Sequence, residues 1–276
     1  MPHVGNVKNN IFHVFSMLKH HICAWNTGGE GIHSPRLFYL VRHLFYETAQ
    51  MYAWEQIEAR RTAMLRAPKL VHIQDFGTGQ DRDELIMHIA RQSVMQPRQA
   101  QLLARLLNYM NGNEYAQSTS PLTIVELGTS LGLTTAYMAS VDSRNQIITF
   151  EGSQQVSEIA AMNWQKLHLS NITQKTGPID DTLLSYAREE QPRIHFVLMD
   201  ANHTQEATLR YFEWLLPLMD PNGIVVVDDI RYSKDMYAAW KTITHHDGVT
   251  ATMDLGQMGL VFFYPNVQQR TYTIRL

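Results

Sequence analysis

Thr123-Ile124-Val125-Glu126-Leu127-Gly128-Thr129-Ser130-Leu131-Gly132-Leu133, then a helical run, then Ile147-Ile148-Thr149-Phe150-Glu151-Gly152: the reading of this chain turns on these residues. A short apolar run rich in β-branched residues ends in an acid. A turn bearing two glycines follows, and a helix opens behind it. A second apolar run ends in a second acid. The pattern is strand, turn, helix, strand, the first half of a nucleotide-binding α/β unit. Gly128 and Gly132 suit a turn that needs open backbone angles and close approach to a ligand. The free N–H groups at the start of the next helix suit a polar or anionic group.

Working outward, strands and helices go on alternating. Helices are expected at Val156–Leu167, Thr182–Arg188, Glu206–Leu218 and Lys234–Thr244. Strands are expected at 172–175, at Ile194–Met199 ending on Asp200, and at Gly223–Val227 ending on Asp228-Asp229. Val249–Leu255 and Leu260–Tyr264 around Gly256 read as a β-hairpin. Alternation of this kind gives a parallel sheet with helices on both faces, and the terminal hairpin adds an antiparallel strand. Ligands of such sheets bind outside the carboxyl ends of the strands. Glu126, Glu151, Asp200, Asp228 and Asp229 fall at those ends. Five acids on one rim repel one another unless something positive lies among them.

The spacing Glu126-x-Gly128-x-Ser130-x-Gly132 departs from the dinucleotide fingerprint Gly-x-Gly-x-x-Gly, and no P-loop lysine follows. It resembles motif I and the following acidic position of the class I S-adenosylmethionine (SAM) methyltransferases. The resemblance covers residues 95–264 and implies a Rossmann-like, seven-stranded, mostly parallel α/β sheet with a C-terminal antiparallel hairpin. It also implies that Glu126, Gly128, Thr129, Ser130 and Gly132 lie near the methionine end of SAM. Glu151 would hold the ribose, and Gly177 and Asp180 would lie where adenine is contacted.

Val197-Leu198-Met199-Asp200-Ala201-Asn202-His203 and Gly223-Ile224-Val225-Val226-Val227-Asp228-Asp229 sharpen this. They resemble the group of catechol and caffeoyl-CoA O-methyltransferases. There an Asp after the fourth strand and an Asp-Asn pair after the fifth bind Mg²⁺. The likeness makes Asp200, Asp228 and Asp229 metal ligands, with Asp229 in place of Asn, and sets Asp200 also beside the cofactor. An all-oxygen set suits a hard cation, Mg²⁺ or Ca²⁺. The catalytic Lys of that group lies three residues past the first Asp; here His203 takes its position, so Asp200 and His203 are the candidate catalytic pair. Trp164 and Tyr232 are either acceptor-pocket residues or plain core and surface. His33-Ser34-Pro35, Asp75-Phe76-Gly77-x-Gly79 and the motif at Glu126, in that order, also resemble an uncharacterised bacterial methyltransferase group, which implies no substrate.

Residues 1–95 read as a helical cap ahead of the SAM-binding domain at 96–276. Ile11, Val14, Phe15, Leu18 and Ile22 recur at helical spacing, and Ser34-Pro35 opens a helix reaching about Tyr46. Helices are also expected over Ala53–Arg66, Asp83–Gln92 and Pro97–Met110. The stretch after Leu70, with its Asp75-x-Gly77-x-Gly79, reads as a surface turn. Ile11, Phe15, Leu18, Leu37, Leu40 and Leu44 need partners, either the rim of the sheet or a second copy in a homodimer.

Composition sets the outer limits. At 276 residues, with 45% hydrophobic and 18% charged, the chain is long and apolar enough for a full core. Lys plus Arg is 23 against Asp plus Glu at 26, so no nucleic-acid footprint is present. One cysteine, Cys23, excludes an internal disulfide framework and fits a cytoplasmic protein. No apolar run is long enough for a membrane span. The expected function is SAM-dependent O-methylation of a small-molecule acceptor, assisted by a divalent cation. A nicotinamide oxidoreductase is disfavoured by the missing third glycine of the dinucleotide fingerprint. A SAM-binding regulatory module without turnover is disfavoured by the intact Asp200 and His203.

Overall fold

The computed structural model describes residues 4–48, 51–74, 81–112, 121–265 and 269–276. Helix α1 (Val4–Cys23) is followed by α2 (Pro35–Tyr39), which has Pro35 in its first turn and continues as a wider π-type turn over Leu40–Leu44. Then come α3 (Tyr52–Leu65), β1 (Leu70–Ile73), β2 (Arg82–Leu85), α4 (Ile86–Gln92) and α5 (Pro97–Gly112). The alternating part follows: β3 (Thr123–Leu127), α6 (Leu133–Ala139), β4 (Gln146–Glu151), α7 (Gln154–Lys166), β5 (Ile172–Thr176) and α8 (Ile179–Glu189). It ends with β6 (Ile194–Met199), α9 (Gln205–Leu215), β7 (Met219–Val227), α10 (Lys234–Thr244), β8 (Ala251–Asp254), β9 (Gly259–Phe262) and β10 (Arg270–Thr273).

The chain divides into two compact units, residues 48–192 and residues 1–47 with 193–276. In the first, β3, β4 and β5 are parallel, with Ile124 opposite Ile147 and Phe150 opposite Lys175. The side chains of β3 and β4 form an almost continuously buried layer, as expected of parallel strands covered on both faces, whereas those of β5 are half-buried or exposed. All seven residues of α6 are buried, so it is a core helix rather than an amphipathic one. Helix α3 braces this unit from outside: Glu58 accepts from Tyr137 OH at 2.8 Å, and Arg60 donates to Asn163 at 2.7 Å.

In the second unit β6 and β7 are parallel, β9 is antiparallel to both β7 and β8, and β10 lies parallel to β8. The hairpin expected near Gly256 is therefore present. The sheet counts eight strands, in the order β10-β8-β9-β7-β6-β3-β4-β5, where seven were expected. The extra strand, Arg-Thr-Tyr-Thr, buries only Tyr272 and Ile274 near it, too little apolar pattern to announce itself.

Two local expectations are corrected. Residues 70–85 contain an antiparallel strand pair, with Leu70 opposite Leu85, so the expected helix at Asp83 begins only at Ile86. Arg82-Asp83-Glu84 carries too little apolar signal to separate a strand from a polar helix start. The Asp75–Gly79 motif lies outside the described residues. Of the N-terminal apolar residues, Leu37, Leu40 and Leu44 are buried, but Ile11, Phe15 and Leu18 are 54%, 69% and 55% exposed.

The buried face of α1 is instead polar. His20 Nδ1 lies 3.1 Å from Asp254, and its Nε2 lies 3.1 Å from the Ile274 carbonyl. Arg231 grips Asp254 with two bonds of 2.6 Å. Burial alone would raise the Asp254 carboxyl, but His20 and Arg231 outweigh it and hold that carboxyl below the usual range. The helix is thus fixed by a charge network drawn from residues more than two hundred positions away.

Candidate functional site

In residues 48–192 the turn after β3 is drawn tight. Gly128 and Thr129 both donate backbone N–H to the Phe150 carbonyl, at 3.0 and 3.2 Å. Gly132, at φ +71°, donates to Thr129 O at 2.9 Å. A Cβ at Gly132 would sit 2.6 Å from Trp164 Nε1 and 2.8 Å from Ala160 Cβ, so only glycine fits. Trp164 Nε1 donates to the Gly132 carbonyl at 2.7 Å, and Asn163 Nδ2 donates to Leu131 O at 2.8 Å. Trp164 is therefore a buried brace of the turn, not a residue of an acceptor pocket.

Glu151 closes the turn from β4. Its Oε2 accepts from Ser130 N–H at 2.9 Å and its Oε1 from Ser153 N–H at 3.0 Å. Burial pushes its carboxyl up, against the pull of those N–H groups. Ser130, in the left-handed region at φ +49°, has a buried hydroxyl with no hydrogen-bond partner. Gly177, at φ +132°, donates to Glu151 O at 2.9 Å, and Asp180 sits in the first turn of α8. The structure thus gathers the turn, Glu151 and Gly177 around the ends of β3, β4 and β5.

Glu126 is wholly buried beneath this turn. Its Oε2 accepts from Thr135 at 2.5 Å and Thr149 at 2.6 Å, and Thr149 also meets Thr129 at 2.6 Å. Burial pushes its carboxyl up to about 7, the two threonines lower it, and Glu151 raises it. Its Oε1 has no hydrogen-bond partner. Thr135, Thr149, Asn163 and Trp164 are functional supports that the motif did not reveal. Nothing in a linear pattern marks a buried hydroxyl or indole as the prop of a turn.

In the other unit, β6 and β7 end level, Met199 opposite Val227, and Asp228 N–H donates to Met199 O at 3.0 Å. This register sets Asp200 and Asp228 on neighbouring strand ends. Asp229 turns the chain at φ +53° and its carbonyl accepts from Tyr232 N–H. Its carboxylate accepts from Gln257 at 3.4 Å. His203 Nε2 is 3.8 Å from Asp200, and its ring lies 5.6 Å from that of Tyr232. Burial lowers the His203 pKa, opposed by Asp229, so the imidazole is neutral at pH 7. A neutral imidazole beside two carboxylates is equipped to take up a proton.

Asp228 is 5% exposed. Burial, and after it the neighbouring Asp229, push its carboxyl up to about 7. Three carboxylates offer the oxygen donors a hard cation takes, and the buried Asp228 Oδ1 lacks a hydrogen-bond partner. Those two facts fit a cation. Among the described residues, however, no three His, Cys, Asp or Glu side chains are closed into one ligand group.

The raised carboxyl carries a stability prediction. A group whose folded pKa lies above its unfolded value stabilises the fold below the unfolded value, and that contribution is lost as pH rises through the folded one. For Asp228 the window runs from the unfolded value of ~3.9 to about 7. Without added cation, thermal stability should fall between pH ~5 and pH ~8, and Asp228→Asn should remove part of that fall, on the order of 2 kcal/mol. Thermal unfolding of both proteins across this range checks it; parallel curves would contradict it.

Comparison with known proteins extends the picture. Residues 125–230 match a family model described as a methyltransferase domain. A catechol O-methyltransferase of Niastella koreensis is 29% identical over 117 residues, 42% of this chain and 52% of that protein. The match thus spans about half the length of this curated relative. The O-methyltransferase of Bacillus cereus, solved with S-adenosylhomocysteine (SAH), superposes with a TM-score of 0.56 at 18% identity, over 81% of this chain and 95% of that one. TomG of Streptomyces achromogenes, an O-methyltransferase of tomaymycin synthesis solved with SAM, gives 0.55 at 16% identity, over 83% and 95%. These two likenesses are of fold. Among the described residues no helix is long and apolar enough to cross a membrane. Motif, sheet topology and family match point the same way: residues 125–230 are similar to a methyltransferase domain.

Proposed function

We propose that the protein is a SAM-dependent O-methyltransferase acting on a small molecule. The observation that carries this is the cradle around Glu151. A half-buried carboxylate is tied to the backbone of the glycine turn, and the buried Ser130 hydroxyl beside it lacks a hydrogen-bond partner. A carboxylate so placed suits the paired hydroxyls of a ribose. The relatives solved with SAM or SAH support the choice of donor. In this reading Gly128, Thr129, Ser130, Gly132 and Gly177 give the donor close backbone approach, Glu126 props the turn from below, and Asp180 serves the adenine end.

Transfer is an in-line displacement at the sulfonium methyl. The acceptor oxygen forms the new C–O bond as the S–CH₃ bond breaks, giving SAH and a methyl ether, and the hydroxyl proton leaves to base. His203 takes that proton at Nε2, with Asp200 and Asp229 favouring the imidazolium it becomes. Asp200, Asp228 and Asp229 are the residues that would hold Mg²⁺ or Ca²⁺; when bound, such a cation lowers the pKa of a hydroxyl it contacts. Helix α1 supports the acceptor side through His13, whose Nδ1 lies 3.1 Å from the carbonyl of Arg231, two residues past Asp229. On that ground the N-terminal helices help select the acceptor.

Release of SAH from SAM against a panel of phenols, catechols and other hydroxylated small molecules tests the activity. Turnover is expected with a hydroxyl acceptor; SAM binding without turnover on any acceptor would favour a regulatory module. Removal of divalent ions by a chelator should abolish that turnover and added Mg²⁺ restore it, while SAM affinity stays unchanged. Full activity after exhaustive chelation would assign the three acids to positioning alone.

A further inference from the structure

On the reading of the glycine turn as a SAM site, we propose that Arg60 of α3 is a positioning residue for that site, setting SAM affinity by fixing the side-chain amide of Asn163. Asn163 is 1% exposed and uses both ends of its amide. Its Nδ2 donates to Leu131 O at 2.8 Å, and its Oδ1 accepts from Arg60 Nη2 at 2.7 Å. The next residue, Trp164, donates from Nε1 to Gly132 O at 2.7 Å. Two consecutive carbonyls of the turn are therefore held by two consecutive side chains of α7. The N–H and C=O of a trans peptide point in opposite directions. The Leu131–Gly132 peptide is accordingly pinned at both edges, its N–H by Thr129 O and its C=O by Asn163. The residue before it is Ser130, whose N–H binds Glu151. Loosening that peptide loosens the Ser130–Glu151 tie from which the ribose contact is built.

Arg60 matters because an amide has two ends of nearly equal size and opposite chemistry. Turned over, Asn163 would set its oxygen against Leu131 O, acceptor against acceptor, and the turn would lose its tie. A guanidinium carries donors only. It bonds the Oδ1 end alone and so selects the orientation in which Nδ2 faces Leu131. Without that donor the present orientation would leave Oδ1 buried and unpaired, which is costly. Arg60 is itself held in place by the rest of α3. Trp54 and Ile57 are each 1% exposed. Arg61 Nε grips both oxygens of Glu58, at 2.9 and 3.1 Å, and Glu58 accepts from Tyr137 OH on α6 at 2.8 Å. Helix α3 thus ties down α6, which leaves the turn, and α7, which follows Glu151. Arg60 stands 103 positions from Asn163 and outside the matched residues 125–230, yet it serves the donor end of the site.

Arg60→Met keeps most of the side chain's length and removes every donor. In the full-length protein it should raise the dissociation constant for SAM about three- to tenfold, the range of one hydrogen bond's net contribution. KM for SAM should rise in step, with kcat at saturating SAM unchanged. Arg60→Lys, which again offers donors and no acceptor, should restore most of the affinity. A double-mutant cycle isolates the route. Asn163→Ala should itself weaken SAM binding, and Arg60→Met in that background should weaken it no further. A general loosening of α3 would instead add to the effect of Asn163→Ala. Should the methionine variant fail to fold, Arg60→Gln takes its place in the cycle with the same expected result, since glutamine can turn either an oxygen or a nitrogen to Asn163 and so removes the selection. Wild-type SAM affinity in the folded Arg60 variant, an equal loss in both backgrounds, or a lowered kcat with unchanged KM would overturn the proposal. A wild type that binds neither SAM nor SAH would overturn the methyl-transfer reading, and the proposal with it.

Discussion

His203→Ala is expected to lower kcat by about 10²- to 10⁴-fold at neutral pH, the usual contribution of a positioned general base, with SAM affinity unchanged. The expectation rests on burial, which keeps the imidazole neutral, and on Asp200 at 3.8 Å, which favours the protonated ring formed in the transition state. Because the His203 pKa is lowered, the wild-type kcat should already be on its plateau at pH 7 and fall only in more acid solution. In His203→Ala that acid limb should disappear along with most of the rate. A variant with wild-type kcat would remove His203 from the chemistry and leave the carboxylates to supply the base.

Glu151→Ala should raise the dissociation constant for SAM at least tenfold. Hydrogen bonds to a charged group are worth roughly 1.5–3 kcal/mol, which is ten- to about a hundredfold in affinity. Glu151 also ties the N–H groups of Ser130 and Ser153. The alanine variant therefore loosens the turn as well as losing the ribose contact. Glu151→Gln keeps one acceptor oxygen and should fall between the two. Unchanged SAM affinity in a folded Glu151→Ala protein would show that the carboxylate serves the turn alone.

How legible these features were depended on whether their causes are local. Strands β3, β4, β6 and β7 are runs of buried Ile, Val, Leu and Phe with an acid at or just beyond the end, so pattern alone locates both the strand and its rim residue. The glycine turn is legible for the same reason, since Gly128 and Gly132 occupy the left-handed region their type permits. The supports beneath it are not. Thr135, Thr149 and Trp164 matter through partners on other elements, and their types are ordinary for the helix and strand that carry them. The orientation of α1 was hidden in the same way. Its periodicity gave the helix and its apolar stripe, but which face turns inward is decided by Asp254, Arg231 and Ile274, far along the chain. Strand β10 and the β1–β2 pair are four residues each, with little buried apolar surface, below what a period-two pattern can mark.

The most direct measurement of the central claim is calorimetric titration of the wild-type protein with SAM, SAH and NAD in turn. Saturable one-to-one binding of SAM and SAH is expected, lost or much weakened in Glu151→Ala, with no heat of binding from NAD. Saturable binding of NAD, or no binding of SAM and SAH to the folded protein, would contradict the account.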